Sequence, residues 1–361
     1  MPPTPPLDLA ADVVTLTAAL CDIPSVSHDE RRIADAVEHA LRSLAHLEVT
    51  RDGDAVVART GLGRQERVVL AGHLDTVPVA DPPNLPVRRD GEHLVGRGTT
   101  DMKGGVAVQL RLAHQLTEPA RDVTYVFYDA EEVEEEHNGL ARLARRHPGL
   151  LAADFAVLLE PTDDAVEGGC NGNVTVRVHT RGTACHSARP WTGHNAIHDV
   201  AEVLARIRAA GLADREVDGL VYRQALNAVR VSGGIADNVV PDHAVVTVNL
   251  RFAPDRDAGQ AVAFLRDEVF AGLEVEVVDA ADGARPGLHH PAARQFVEAL
   301  GVPVRPKYGW TDVARFSALG VPAVNFGPGE ARYAHTDDER CLVRQLQEAE
   351  ASLLRWLQPG A

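Results

Sequence analysis

Lysine is almost missing from this chain. Lys103 and Lys307 are the only two in 361 residues, so arginine supplies nearly all of the 36 basic side chains set against 52 acidic ones. The net charge is −16 and no basic run occurs, which speaks against a surface built for nucleic acid or anionic membrane. Cysteine is also scarce. Cys21, Cys170, Cys185 and Cys341 lie far apart and form no CxxC pair, which argues against a disulfide scaffold or a cysteine–zinc knot and for thiols in a reducing compartment. No apolar run reaches the roughly 20 residues that span a bilayer. The first eight residues are proline-rich and lack the basic and apolar regions of a secretory signal. A cytoplasmic protein is expected, with no membrane and no nucleic-acid partner. No internal repeat is present.

The length exceeds one ordinary core, so two domains are expected. Residues 2–6 read as a frayed tail. Ser27 and Glu30 fit a capping box ahead of Ile33, Val37, Leu41 and Leu44 at helical spacing. Apolar runs at 67–71, 123–128, 155–159 and 321–326 read as buried strands. They alternate with helical stretches at 102–116 and 138–146, the pattern of an α/β sheet. The middle of the chain differs: strand 173–180, helix 195–209, strands 224–231 and 243–251, helix 259–270, strand 273–278. That β-α-β-β-α-β order is ferredoxin-like. It predicts an inserted α+β domain at 173–287, with 1–172 and 288–361 forming the first domain. The apolar face of helix 195–209 (Ile197, Val200, Val203, Leu204, Ile207) reads as packing within that insertion.

Five segments offer metal ligands: Gly72-His73-Leu74-Asp75, the glycine-rich stretch around Asp101, Ala130-Glu131-Glu132, Leu159-Glu160-Pro161 and Ala334-His335-Thr336. Several fall just beyond the carboxyl ends of strands, where open α/β sheets place their sites. On a strand, positions two apart share a face, so Asp75 is placed to hold the ring of His73. Asp101 can bridge two cations at the roughly 3.5–4 Å of two-metal sites; equally, it can cap the helix that begins at Met102. Of Glu131 and Glu132, one can bind metal while the other serves as general base. Glu134, Glu135 and Glu136 read instead as a solvated helix start. The set closes as His73, Asp101 and Glu160 for one metal and Asp101, Glu132 and His335 for the other. Each keeps a position open for water, as catalytic zinc sites do. The remaining histidines have no partner pattern.

The ordered motifs GHLDTVP, GRGTTDMKGG, AEE, LLEP and AHTDDE resemble the zinc-dependent aminoacylase and carboxypeptidase superfamily. Within it, HSARPWTGHNAIH, YRQALNAVRVSGGIADNVVPD and KYGWTDVARFSALGVPAVNFGPG are similar to the succinyl-diaminopimelate desuccinylases of the actinobacterial type. The resemblance covers essentially the whole chain. It implies a mixed-sheet catalytic domain holding two zinc ions per subunit, for which cobalt can substitute, and an inserted lid that forms a homodimer. It implies that Glu131 is the general base and acid. It further implies that His186 reaches the active site of a partner subunit, that the Asp101–Met102 peptide is cis, and that Asn238, Arg251 and Thr311 contact substrate. The activity implied is release of succinate and LL-2,6-diaminopimelate from the N-succinyl compound, in lysine and diaminopimelate biosynthesis. Two departures bear on the acyl group: Asn173 and Val174 stand where the better-studied desuccinylases carry arginines, and Trp310 interrupts a glycine-rich loop. Arg251, with Arg177, Arg181 or Arg189, is available to compensate. The alternatives are a deacylase of another N-acyl amino acid such as acetylornithine, an aminoacylase or carboxypeptidase, and a non-catalytic scaffold retaining the fold.

Overall fold

The computed structural model describes residues 6–358; the tail expected at residues 2–6 lies outside them except for Pro6. The chain divides into two compact units. One comprises the chain up to Gly168, Gly287–Arg305 and Arg315 onward; the other comprises Gly169–Pro286 and Pro306–Ala314. The second unit thus takes in Pro306–Ala314, a segment that the order of elements assigns to the first domain. The reason is local bonding: the Asn171 N–H donates to the Lys307 carbonyl and the Cys170 thiol contacts the Thr311 carbonyl.

The first unit is built on an eight-stranded mixed sheet. Its middle strands, Arg67–His73, Asp122–Tyr128, Phe155–Leu158 and Ala323–Asn325, run parallel. They are buried along almost their whole length, because strands covered on both faces need continuous apolar runs. The hairpin Glu48–Asp52 and Ala55–Arg59 adds antiparallel strands at one edge. Ala323–Asn325 lies between Phe155–Leu158 and Val166–Gly168. Helix Lys103–Gln115 packs against helices Val13–Cys21 and Val343–Leu357 as well as the sheet. Its Gly105 has a positional reason: a Cβ there would stand 2.3 Å from the Leu159 carbonyl oxygen, so glycine lets the helix lie against the strand end that carries Glu160.

Two local expectations change. Ser27 does not cap helix Arg31–Arg42, which has no side-chain cap bond. Its hydroxyl donates instead to Asp75, and the Glu30 carboxylate turns to the N–H groups of His28 and Ala130. Both polar groups are drawn into the buried site, which outweighs a surface cap. The glutamates Glu134–Glu136 form a turn rather than a helix start; the helix begins at Gly139 under the side chain of Asn138.

The second unit is a four-stranded antiparallel sheet in the order Ala225–Gly233, His243–Phe252, Gly172–Arg181, Glu274–Ala281, with helices Ala196–Ala209 and Ala258–Ala263. This is the ferredoxin-like order. Val174, Val176 and Val178 alternate with more exposed residues, as do Val246, Val248 and Leu250, the period-two signature of a half-buried sheet. The apolar face of Ala196–Ala209 divides. Val200 and Val203 are buried and Ile207 packs against them, whereas Ile197 is 40% and Leu204 37% exposed.

Candidate active site

All six of the first unit's metal and base candidates converge. His73 ends its strand and is buried. Asp101 follows the turn Gly98-Thr99-Thr100; Gly98 adopts φ +85°, and a Cβ there would crowd Thr76 and Lys103. The Asp101–Met102 peptide is cis. Asp101 does not cap the next helix. Its Oδ1 lies 3.2 Å from His73 Nε2, and its Oδ2 3.4 Å from His335 Nε2. The two oxygens of one carboxylate therefore face two imidazoles, the disposition of a bridging ligand. His335, at φ +63°, also meets Glu132 Oε2 at 2.9 Å. Ligand atoms of His73, Asp101 and Glu160 lie within 4.8 Å of one another, and so do those of Asp101, Glu132 and His335. His73, Glu131 and Glu132 form a third such group, so Glu131 stands in the same cluster while neither of the first two sets requires it.

Asp75 does more than orient His73. The ring's Nδ1–H donates to the Asp75 main-chain oxygen at 3.0 Å, with the carboxylate at 3.4 Å. A carbonyl only accepts, so Nδ1 carries a proton and Nε2 is the ring nitrogen turned to Asp101, the one available to a metal. The carboxylate of Asp75 accepts the N–H of Glu131 (3.0 Å) and of Glu132 (3.1 Å), plus the Ser27 hydroxyl (2.7 Å). Burial raises the Asp75 pKa, but the bonds from His73 and the two amides outweigh it and hold the group below its ordinary value. Ala130, at φ +56°, is secured by its N–H bond to the buried carboxylate of Glu30. The base–ligand pair is thus presented by a loop whose main chain is held by two carboxylates. Asp75→Asn turns an amide N–H₂ toward N–H donors and is expected to weaken metal affinity about 10- to 100-fold. Titration calorimetry measures this; unchanged affinity would show that the loop holds itself.

The electrostatics call for cations. Hydrogen bonds to Asp101 and Glu132 push His335 up to about 10. Burial depresses His73, yet its bonds to Asp101 and Asp75 prevail and raise it well above its ordinary value. Asp101 is lowered in turn: burial opposes, but the two imidazoles dominate. Imidazole and carboxylate donors without thiolates fit two divalent ions of the hydrolytic kind. Below pH 10 a metal entering this site must displace the proton on His335. Metal uptake at pH 7.5 is therefore expected to release protons, and affinity to rise with pH before flattening near pH 10. Calorimetry in buffers of different ionisation enthalpy gives the proton count; a count of zero would contradict it.

The second unit carries the other candidates in two groups. His186 pairs with Val239 across a short bridge, beside the Asn238 carbonyl that accepts from Ser187 N–H. The Ala188 N–H donates to His186 Nδ1 at 3.0 Å, so the exposed ring carries its proton on Nε2, as a hydrogen-bond donor. Arg251 stands at the far end of strand His243–Phe252, paired in register with Asn173. Its Nε donates to Asn249 Oδ1, Asn249 donates to Asn173, and Asn173 donates to Asp279. Thr311 is buried near this end, its carbonyl against Cys170. Arg177 and Arg181, the candidates to compensate for the missing arginines, pair with Glu276 and Glu274 across the sheet. Sequence reasoning missed Glu30 as a site residue and did not weigh Glu339. Both are buried carboxylates, and only their burial marks them.

Comparison with known proteins agrees with this architecture. The model of the Peptidase family M20/M25/M40 matches residues 69–358. A Mycobacterium tuberculosis protein, named provisionally as the succinyl-diaminopimelate desuccinylase DapE, is 53% identical over 97% of this chain and 99% of its own. The succinyl-diaminopimelate desuccinylase of Corynebacterium glutamicum is 44% identical over 98% of each chain. Among solved structures, a tripeptidase from Staphylococcus aureus superposes with a TM-score of 0.79 at 20% identity, covering 96% of this chain and 97% of that one. With a family model spanning most of its length and relatives this near, the chain belongs to the Peptidase family M20/M25/M40.

Proposed function

We propose that this protein is a metal-dependent amide hydrolase that releases succinate and LL-2,6-diaminopimelate from N-succinyl-LL-2,6-diaminopimelate. The step belongs to lysine and diaminopimelate biosynthesis, and the setting is the cytoplasm. The observation that carries the reaction class is the pair of donor groups sharing Asp101, with Glu131 beside them. Similarity over nearly the full chain to one desuccinylase and to a second protein provisionally named as one supports the substrate. Two zinc ions per chain, replaceable by cobalt, would be held by His73, Asp101, Glu160, Glu132 and His335; bound there, they would polarise the amide carbonyl and make a water acidic. Glu131 takes the proton from the attacking water and passes it to the leaving nitrogen. His186 donates from Nε2 to the carbonyl oxygen, where negative charge develops. Arg251 uses one nitrogen on Asn249 and offers its terminal pair to a carboxylate of the substrate.

The layout of the second unit supports a homodimer. From His243 to Arg251 is eight steps of about 3.3 Å, roughly 26 Å. His186 and Asn238 lie at one end and Arg251 and Thr311 at the other. One small substrate would meet both ends only if His186 comes from a second copy. The surface for that copy would be edge strand Ala225–Gly233, with Val229 61% and Val231 52% exposed, next to Ile197, which lies against Gly233.

A substrate panel tests the reading. Zinc-loaded protein is offered N-succinyl-LL-diaminopimelate, N-acetylornithine and several N-acyl amino acids, with amine release as readout. The succinyl compound is expected to lead by at least tenfold in kcat/KM. An acetyl or longer acyl preference would instead mark Asn173 and Trp310 as a change of specificity. No turnover together with no metal uptake would favour the scaffold.

A further inference from the structure

We propose that Glu339, paired with Arg97, is a positioning residue that holds Asp101 and His335 in one frame for metal binding. Glu339 follows His335 by four residues and is 1% exposed. Its Oε1 accepts three main-chain N–H groups, from Gly98, Thr100 and Asp101, each at 3.0 Å. These are the amides of the turn that ends in Asp101. Its Oε2 accepts from Arg97 Nη1 at 2.8 Å. The buried Arg97 also donates to the Thr336 carbonyl (3.1 Å) and the Pro78 carbonyl (3.0 Å). One ion pair therefore ties together the segment after His73 and Asp75, the Asp101 turn and the residue that follows His335. The Gly96 N–H to Glu339 carbonyl bond and the Thr100 hydroxyl to Arg340 carbonyl bond close the same frame.

Neither Glu339 nor Arg97 contributes an atom to the three donor groups, so the pair acts through others. A carboxylate is required by the count of donors. Three N–H groups on one oxygen and a guanidinium on the other leave no place for an amide. In Glu339→Gln the side-chain N–H₂ would face either the three amides or Arg97, donor against donor. Glu339→Asp keeps the charge and falls short by one methylene.

The inference rests on the donor-set reading and not on the substrate. The test is zinc titration of metal-free protein by calorimetry, together with the visible absorption spectrum after cobalt loading. Glu350→Gln, in the Arg111–Glu350 pair of the same unit, serves as a stability control. Glu339→Gln is expected to weaken zinc binding about 10- to 100-fold and to change the intensity and shape of the cobalt bands. Glu339→Asp should recover part of both, and Glu350→Gln should move neither. Wild-type affinity and spectrum in folded Glu339→Gln would overturn the proposal, whatever the loss of stability. Should that variant not fold, Arg97→Lys carries the test. It retains one contact to Glu339 and drops the bonds to Pro78 and Thr336, and an unchanged affinity there overturns the proposal too. No zinc uptake by the unsubstituted protein would sink the donor-set reading and this one with it, whereas normal uptake with unaffected variants sinks only this one.

Discussion

Replacing Glu131 with alanine is expected to lower kcat by about three orders of magnitude, within the range for loss of a general acid–base group, while metal content stays at the wild-type level. The physical reason is division of labour. His73, Asp101 and Glu160 form one donor group, and Asp101, Glu132 and His335 the other; neither needs Glu131. Removing its side chain leaves the ligands and takes away the proton carrier. The main-chain N–H at this position donates to Asp75, a bond that alanine retains, so Glu132 would stay in place. Metal analysis and steady-state kinetics on one preparation decide the matter. Activity within tenfold of wild type would move the base elsewhere, and loss of metal would make Glu131 a ligand.

His186→Ala is expected to cost about 100-fold or more in kcat, the scale of one lost oxyanion donor, with metal content unchanged. The sharper result comes from mixing it with Glu131→Ala. In a mixed pair of the proposed homodimer the His186→Ala chain would still have Glu131 and its neighbour would still offer His186, so one of the two sites would be whole. Random reassortment makes about half the dimers mixed, each with one working site, so about a quarter of wild-type activity should return from two nearly dead proteins. No recovery after proven subunit exchange would mean that His186 serves its own chain or none. Substituting Val229 with arginine should abolish both the recovery and the dimer, which sedimentation would report.

Much of the site was legible because strands announce themselves. The runs ending at His73, just before Glu131 and at Glu160 are apolar enough to be buried strands, and a polar residue directly after such a run is placed at the sheet's working edge. The inserted unit was legible for another reason: Val174, Val176 and Val178 alternate at period two, which a helix cannot satisfy. What stayed hidden has no period. Glu30 reaches a main-chain N–H about 100 positions away and Glu339 three of them about 240 positions away, and any residue supplies those. The same limit explains the misreading of Ser27, whose hydroxyl met a carboxylate 48 residues on rather than its own helix. Arg177 and Arg181 looked available because cross-strand glutamates become neighbours only once the register is known.

Strand Ala323–Asn325 fills the gap between Phe155–Leu158 and Val166–Gly168. For a chain emerging from the ribosome this sets an order of events. The segments on either side of that gap are made early, and the strand that fills it arrives only after the whole inserted unit has been synthesised. Until then the nascent sheet carries an open edge of unpaired main-chain groups, an invitation to wrong pairing. His335 and Glu339 come later still, so the donor group of Asp101, Glu132 and His335 stays open until then, whereas His73, Asp101 and Glu160 are all made in the first half of the chain. Closure of that second group can only seal a unit already assembled. The two donor groups that share Asp101 are therefore completed at opposite ends of synthesis, one before the inserted unit is made and one after it.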